Sequence, residues 1–134
     1  MKKYALDTNT LSYLLKKDPT VSARLKAESD IGNRLTIPLM AFYEVKRGLL
    51  AVNSSQRMRY FEQFCGILGI GDMSFEIADK AAHIYADLRR IGRLVEDADI
   101  MIAAFCIVNG CILVTGNTKH FEHIDGLQLA NWTE

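Results

Sequence analysis

Proline is scarce: there are two in 134 residues, Pro19 and Pro38. Both suit the opening of a helix, where a missing N–H costs nothing, so no helix interior is broken by one. An excess of either charge is also lacking. Sixteen basic residues balance sixteen acidic ones, so the totals do not point to a polyanionic partner, although local patches matter more than sums. Long apolar runs are missing too. The longest, Ile100 to Val108, is far short of the ~20 residues that span a bilayer, so no membrane span is expected. The two N-terminal lysines precede an apolar run that stops at Asp7, which does not read as a signal peptide. Cysteine is sparse and unpaired: Cys65, Cys106 and Cys111 form no CxxC. Thiols of this kind in apolar runs are expected to be reduced and buried in a cytoplasmic protein. His120 and His123 form HxxH, but no further Cys or His completes a zinc site. There is no repeat or low-complexity tract. The length suits one domain over residues 1–134, with 49% hydrophobic residues to build its core.

What is present is an alternation of short apolar runs and amphipathic stretches. Lys3 to Asp7 reads as a buried strand, and Thr8 to Lys17 as a helix. Asp18-Pro19 pairs an N-cap with proline at the first helical position, opening a helix that carries Val21 and Leu25. Leu35 to Ile37 is a second strand. Pro38 opens a helix whose stripe is Ala41, Phe42, Val45, Leu49 and Val52. Ser54-Ser55 begins another, through Met58, Phe61 and Cys65. The stretch GILGIG, residues 66–71, predicts a strand and a glycine turn. Its glycines run GxxGxG rather than GxGxxG, so it is not a dinucleotide fingerprint. Ser74 starts a helix with Ile77, Ala81, Ile84, Tyr85, Leu88 and Ile91 on one face, ended by Gly92. EDADIMIAAFCIV is a helix apolar nearly all round, expected between layers. Cys111 to Thr115 is a fourth strand and Leu127 to Ala130 a weaker fifth. This alternation implies an α/β fold with a mostly parallel sheet, and such sheets bind ligands beyond the carboxyl ends of their strands.

Asp7 ends the first strand, and Thr115 and Asn117 follow the fourth. Asp7 can cap the next helix or hold a metal ion; its neighbours alone do not decide. Glu44 lies at the edge of a buried stripe, where it can pair with Lys46 or Arg47 or face a site. Glu96, Asp97 and Asp99 open the most apolar helix. Asp97 can cap it and the dipole favours acids there, but Asp99 shares a face with Ile102, Ala103 and Cys106. A carboxylate on a buried face needs a partner, and a divalent cation is one. Gly116-Asn117 can be a plain turn. Together, four segments direct Asp7, Glu44, Asp99 and Asn117 to one sheet edge. Oxygen donors without a His or Cys cluster suit Mg²⁺ or Mn²⁺, which lower the pKa of a bound water and offset charge on a phosphodiester. Without an ion, crowded carboxylates repel by roughly 4 kcal/mol per close pair at an effective dielectric of 20.

The strings LDTNTLSYLL, YEVKRGL, DADIMIAA and LVTGNTKHFEHIDGLQLANW, in this order from Tyr4 to Trp132, resemble PIN-domain ribonucleases, specifically VapC-type toxins of toxin–antitoxin modules. The resemblance implies a three-layer α/β/α sandwich around a mostly parallel sheet and an endoribonuclease dependent on Mg²⁺ or Mn²⁺. It implies Asp7, Glu44 and Asp99 as metal ligands, with Asn117 in a fourth position that is acidic or Asn in the family. Thr8, Asn9 and Thr115 would be supporting polar groups. Neutral Asn117 leaves one-metal and two-metal chemistry both open. Glu96 and Asp97 are rival ligands; Asp99 is preferred because it aligns with the Asp before the family's IAA stretch. Lys46 and Arg47, directly after Glu44, are expected at RNA phosphates, whereas the clusters at 57–59 and 89–93 read as solvated faces. His120 could touch substrate.

The resemblance also implies a homodimer and a VapB-type antitoxin, expected as an amphipathic helix in an apolar groove with a basic side chain reaching the acids. The RNA would be structured, of the tRNA or rRNA class, cut in an unpaired loop. A haloacid-dehalogenase-like phosphatase needs a second Asp two residues after the first, and Asn9 stands there. The remaining alternative is a non-catalytic PIN-like module that binds RNA or protein.

Overall fold

The computed structural model describes every residue, Met1 to Glu134. In chain order the elements are β1 (Lys3–Leu6), α1 (Thr8–Leu15), α2 (Pro19–Asp30), β2 (Arg34–Pro38), α3 (Leu39–Ala51), α4 (Ser55–Leu68), β3 (Ile70–Gly71), α5 (Phe75–Arg90), α6 (Asp97–Asn109), β4 (Ile112–Val114), α7 (Thr118–Phe121) and β5 (Gln128–Ala130). The five strands form one sheet in the order β3-β2-β1-β4-β5, and every pairing is parallel. Tyr4, Ala5 and Leu6 are consecutive and all buried. Because neighbouring strand residues point to opposite faces, helices must cover both sides of the sheet. This is the three-layer α/β/α arrangement expected of a parallel sheet. The chain travels from β1 outward through β2 to β3, then returns to the other side of β1 for β4 and β5. The reversal point, between β1 and β4, is where such sheets place ligands.

Local chemistry sets the element ends. Asp18 accepts from the Val21 amide at 3.0 Å, with Pro19 beside it, and Ser74 accepts from that of Ile77 at 3.2 Å. The end of α1 is unusual. Lys17 N donates to Leu14 O and Asp18 N to Tyr13 O, both at 3.0 Å. This is the Schellman closure, whose left-handed position favours glycine, yet Lys17 occupies it at φ +59°. Trp132, after β5, is buried, with its ring 5.4 Å from that of Tyr4. The Tyr4 hydroxyl donates to Glu28 on α2.

Three expectations are corrected. The stretch at 66–71 is mostly helix: α4 continues through Leu68, and only Ile70–Gly71 is strand. Phe61, Phe64, Cys65 and Leu68 keep helical spacing against the core, and that period overrides Gly66. The four-residue α7 was not anticipated; it buries Phe121 ahead of Ile124. Val52, Tyr85 and Ile91 are exposed rather than core. Val52 and Ile91 are C-caps, where the chain turns off the packed face. All three cysteines are free, with Cys106 and Cys111 buried and Cys65 half-buried.

Gly71, the last residue of β3, lies directly under α6. A Cβ there would overlap the buried Phe105 ring of α6, so only glycine lets α6 approach. Gly71→Ala is expected to lower unfolding free energy by about 1–3 kcal/mol, read as a reduced urea midpoint with unchanged slope. A midpoint equal to wild type would show that the ring yields freely.

Candidate active site

Asp7 stands where β1 becomes α1. Its amide donates to Val114 O on β4 at 3.1 Å, which locks the strand end to its neighbour. Its side chain accepts from the Thr10 amide at 2.7 Å, capping α1. Thr10 in turn donates its hydroxyl to Val114 O at 2.9 Å. The two readings of Asp7 are therefore compatible: one oxygen caps the helix, and a carboxylate has a second.

Only 5% of Asp7 is exposed. Burial raises its pKa above the ordinary carboxylate value; hydrogen bonds from Thr115 and Thr10 oppose the rise, and the charge of Asp99 adds to it. Thr115 is fully buried, and its amide is fixed to Ala130 O of β5 at 2.9 Å.

Glu44 on α3 reaches the same loop through Thr8, whose hydroxyl donates to Glu44 Oε1 at 2.7 Å. Its other oxygen lies 3.7 Å from Arg47. Asp99, in the first turn of α6, is half-buried and lies 2.9 Å from His120 Nε2. An ionised carboxylate only accepts, so that nitrogen carries the proton. Glu96 and Asp97 are exposed at the helix start, and the N-cap is Glu96 rather than Asp97. The apolar face of α6 turns Asp99 inward and leaves the other two in solvent.

Asn117 is exposed, and its amide donates to Thr115 Oγ1 at 3.0 Å. It lines one recess with Asn9 and Ser12, beside the acids rather than among them. Lys46 is half-buried with its ammonium 5.6 Å from the Phe42 ring centroid. Arg47 is exposed and stacks 5.2 Å over Tyr43. Sequence reasoning treated His120 only as a substrate contact. Its link to Asp99 depends on α7, which no local pattern announced.

No three acidic, His or Cys side chains converge closely enough to enclose an ion by themselves. The donor set still fits a hard divalent ion. Mg²⁺ keeps several waters and takes one or two carboxylates, and Asp99 is close enough for its charge to disfavour that of Asp7. All the oxygens are of the hard type.

The chain matches the PIN domain over residues 4–127. It is 31% identical over 134 residues to a protein of Shigella flexneri named tRNA(fMet)-specific endonuclease VapC, spanning 99% of this chain and 100% of that one. A Haemophilus influenzae protein named ribonuclease VapC2 is 30% identical, over 98% of this chain and 99% of that one. Among solved structures, VapBC2 from Rickettsia felis, bound to a DNA fragment from their promoter, superposes with TM-score 0.91 at 26% identity, covering 97% of this chain and 98% of that one. DNA-bound VapBC from Salmonella typhimurium gives 0.89 at 28% identity, over 98% and 99%.

Asp7 yields a signed prediction. Its folded pKa lies above the unfolded value near 3.8, so its contribution favours the metal-free fold below that value. The contribution is lost as pH rises through the folded pKa. Asp7→Asn keeps a capping oxygen and removes the buried charge. At pH 7 without metal it should melt higher than wild type, and the gap should close as pH falls toward 4. Asp7→Ala also loses the cap and should sit about 1 kcal/mol below the Asn variant. Thermal melts in EDTA across pH decide it; an Asn variant less stable than wild type at pH 7 contradicts the reading.

Proposed function

The chain belongs to the PIN-domain family, and from that premise we propose that it is a divalent-metal-dependent endoribonuclease and the toxin of a toxin–antitoxin pair. The observation that carries the reading is the buried Asp7 carboxylate at the sheet's reversal point, facing Asp99. The ribonuclease names of full-length relatives support it.

Asp7 and Asp99 would hold Mg²⁺ or Mn²⁺, with Glu44 as the third ligand through a water or after release from Arg47. When bound, the ion supplies Lewis-acid polarisation of the phosphodiester and an acidic water. The chain's own residues do the positioning. Thr10 and Thr115 fix Asp7, Thr8 fixes Glu44, and His120 orients Asp99. Such outer partners typically matter 10–100-fold. Lys46 and Arg47 meet phosphates flanking the cut, and Asn9 and Asn117, exposed at one recess, hydrogen-bond the substrate. The substrate is a structured RNA, with tRNA favoured by the name of the Shigella flexneri relative. Assembly with a VapB-type antitoxin follows the VapBC complexes solved for relatives, and a homodimer is the state expected of the toxin. The cytoplasm, where such RNA is found, is the setting. No helix of the chain is long and apolar enough to cross a membrane.

The test is cleavage of purified tRNA by the isolated chain, with new 5′ ends mapped. EDTA should abolish cutting and Mg²⁺ or Mn²⁺ should restore it. Asp7→Asn and Asp99→Asn should each lose more than about 100-fold and His120→Asn about 10–100-fold. Asp97→Asn, in solvent, should stay near wild type. RNA bound but left whole with either ion would establish the binding-module alternative instead.

A further inference from the structure

A second site lies at the far end of α1 from the acids. There Lys17, Arg57 and Arg59 surround an open recess of about 370 Å³ with Tyr60, Gln56 and Gln63, and no carboxylate lines it. None of these cations, nor Lys16 beside them, joins any ion pair in the chain. The nearby Asp18 is occupied in capping α2. The recess continues into a furrow between α1 and α3 that shares Leu15 and Arg57 with it and ends at Thr8 and Glu44. The unpaired cations and Glu44 therefore line neighbouring recesses that meet at Leu15 and Arg57.

Resting on the nuclease reading, we propose that this recess is an RNA-backbone anchor, which grips phosphates of the substrate strand one length of α1, ~12 Å, from the cut and directs it along the α1–α3 furrow. Two features argue that the cations are not there for the fold. Arg57 lies in the first turn of α4, where the helix dipole disfavours positive charge. Lys17 holds a left-handed backbone at a position where glycine would be unstrained, and such retained strain marks positions kept for another reason. What that conformation does is set the Lys17 ammonium 5.5 Å from the centroid of the Tyr60 ring. A half-buried tyrosine flanked by cations is the pairing that single-stranded nucleic acid uses, with phosphates on the charges and a base against the ring. The lining is polar and cationic, with two hydrophobic residues among seven, which favours a phosphate chain over the apolar face of a peptide helix.

The experiment measures binding of a tRNA transcript to the full chain in EDTA, so that no cutting occurs, by anisotropy over a range of salt. Lys17→Gly, Arg57→Gln and Arg59→Gln are made singly and together. The triple variant should bind at least tenfold more weakly, and its log Kd against log salt slope should fall by about 2, since each phosphate contact contributes about 0.7–0.9. Lys17→Gly alone should melt higher than wild type while binding RNA more weakly, a combination that a purely structural lysine does not give. Unchanged Kd and slope in the triple variant overturn the anchor. So does an unchanged RNA affinity with lost binding of an oligoglutamate peptide, which would mark the recess as a seat for an acidic protein segment. The two readings fail separately: RNA held through these residues but never cut with Mg²⁺ sinks the nuclease reading and leaves the anchor standing.

Discussion

The amide of Asp7 bonded to Val114 O, with Thr10 bonded to the same oxygen, welds the ends of β1 and β4 together. Everything at the site is referred to that joint. A parallel strand that ends in a helix N-cap sends its last side chain to the top of the sheet, and the reversal of strand order opens a gap there. Burial at this joint is unfavourable for an ionised carboxylate. The fold meets that cost only in part, with donors from Thr10 and Thr115. An acid left under-compensated in this way is poised for a cation, which explains why a residue that serves well as a cap is buried more deeply than capping requires.

The same logic explains why the acids do not form a ready cage. Each has its own donor: Thr8 for Glu44, His120 for Asp99, Thr10 and Thr115 for Asp7. Separate donors let the chain fold with these carboxylates apart, because none has to be satisfied by another. On the proposed function, ion binding would keep the hydrogen bonds that orient the carboxylates and offset the charge of Asp99 felt by Asp7. In the fold, His120 reaches Asp99 from a short element whose one fully buried side chain is Phe121.

Strong periodicity made most of the fold legible from residues alone. The stripe on α5 and the all-apolar α6 place themselves, as do the Asp18-Pro19 and Ser74 starts. Where the signal was a short apolar run, as at residues 66–71, strand and helix looked alike, and only packing of Phe61, Phe64 and Leu68 decides for helix. At the site, Asp7 was readable because it ends a strand, and Asp99 because its face is apolar. The Asp99–His120 link spans 21 residues and the recess joins α1 to α4; pairings of that kind are tertiary and leave no local pattern. The cluster at 57–59 looked like a solvated helix face for the same reason. Its significance rests on Lys17, forty residues earlier.

A net charge of zero conceals a segregation that the chemistry requires. On the proposed function, a site that would hold a divalent cation must be negative and a surface that would hold RNA must be positive, and the two cannot overlap without cancelling. Their fields are screened over about 8 Å at physiological salt, so a spacer longer than that keeps each intact. The eight residues of α1 supply about 12 Å, with Asp7 at one end and Lys17 just past the other. Arg47 is the informative exception. It sits 3.7 Å from Glu44, inside the screening distance, so in the metal-free state it neutralises an acid rather than presenting itself to phosphate. An arriving ion and an arriving RNA would compete for opposite partners of that one pair. Each makes room for the other: the ion by taking Glu44, the phosphate by taking Arg47. Metal and substrate binding should therefore reinforce one another, a coupling written into a single surface ion pair at the junction of the two fields.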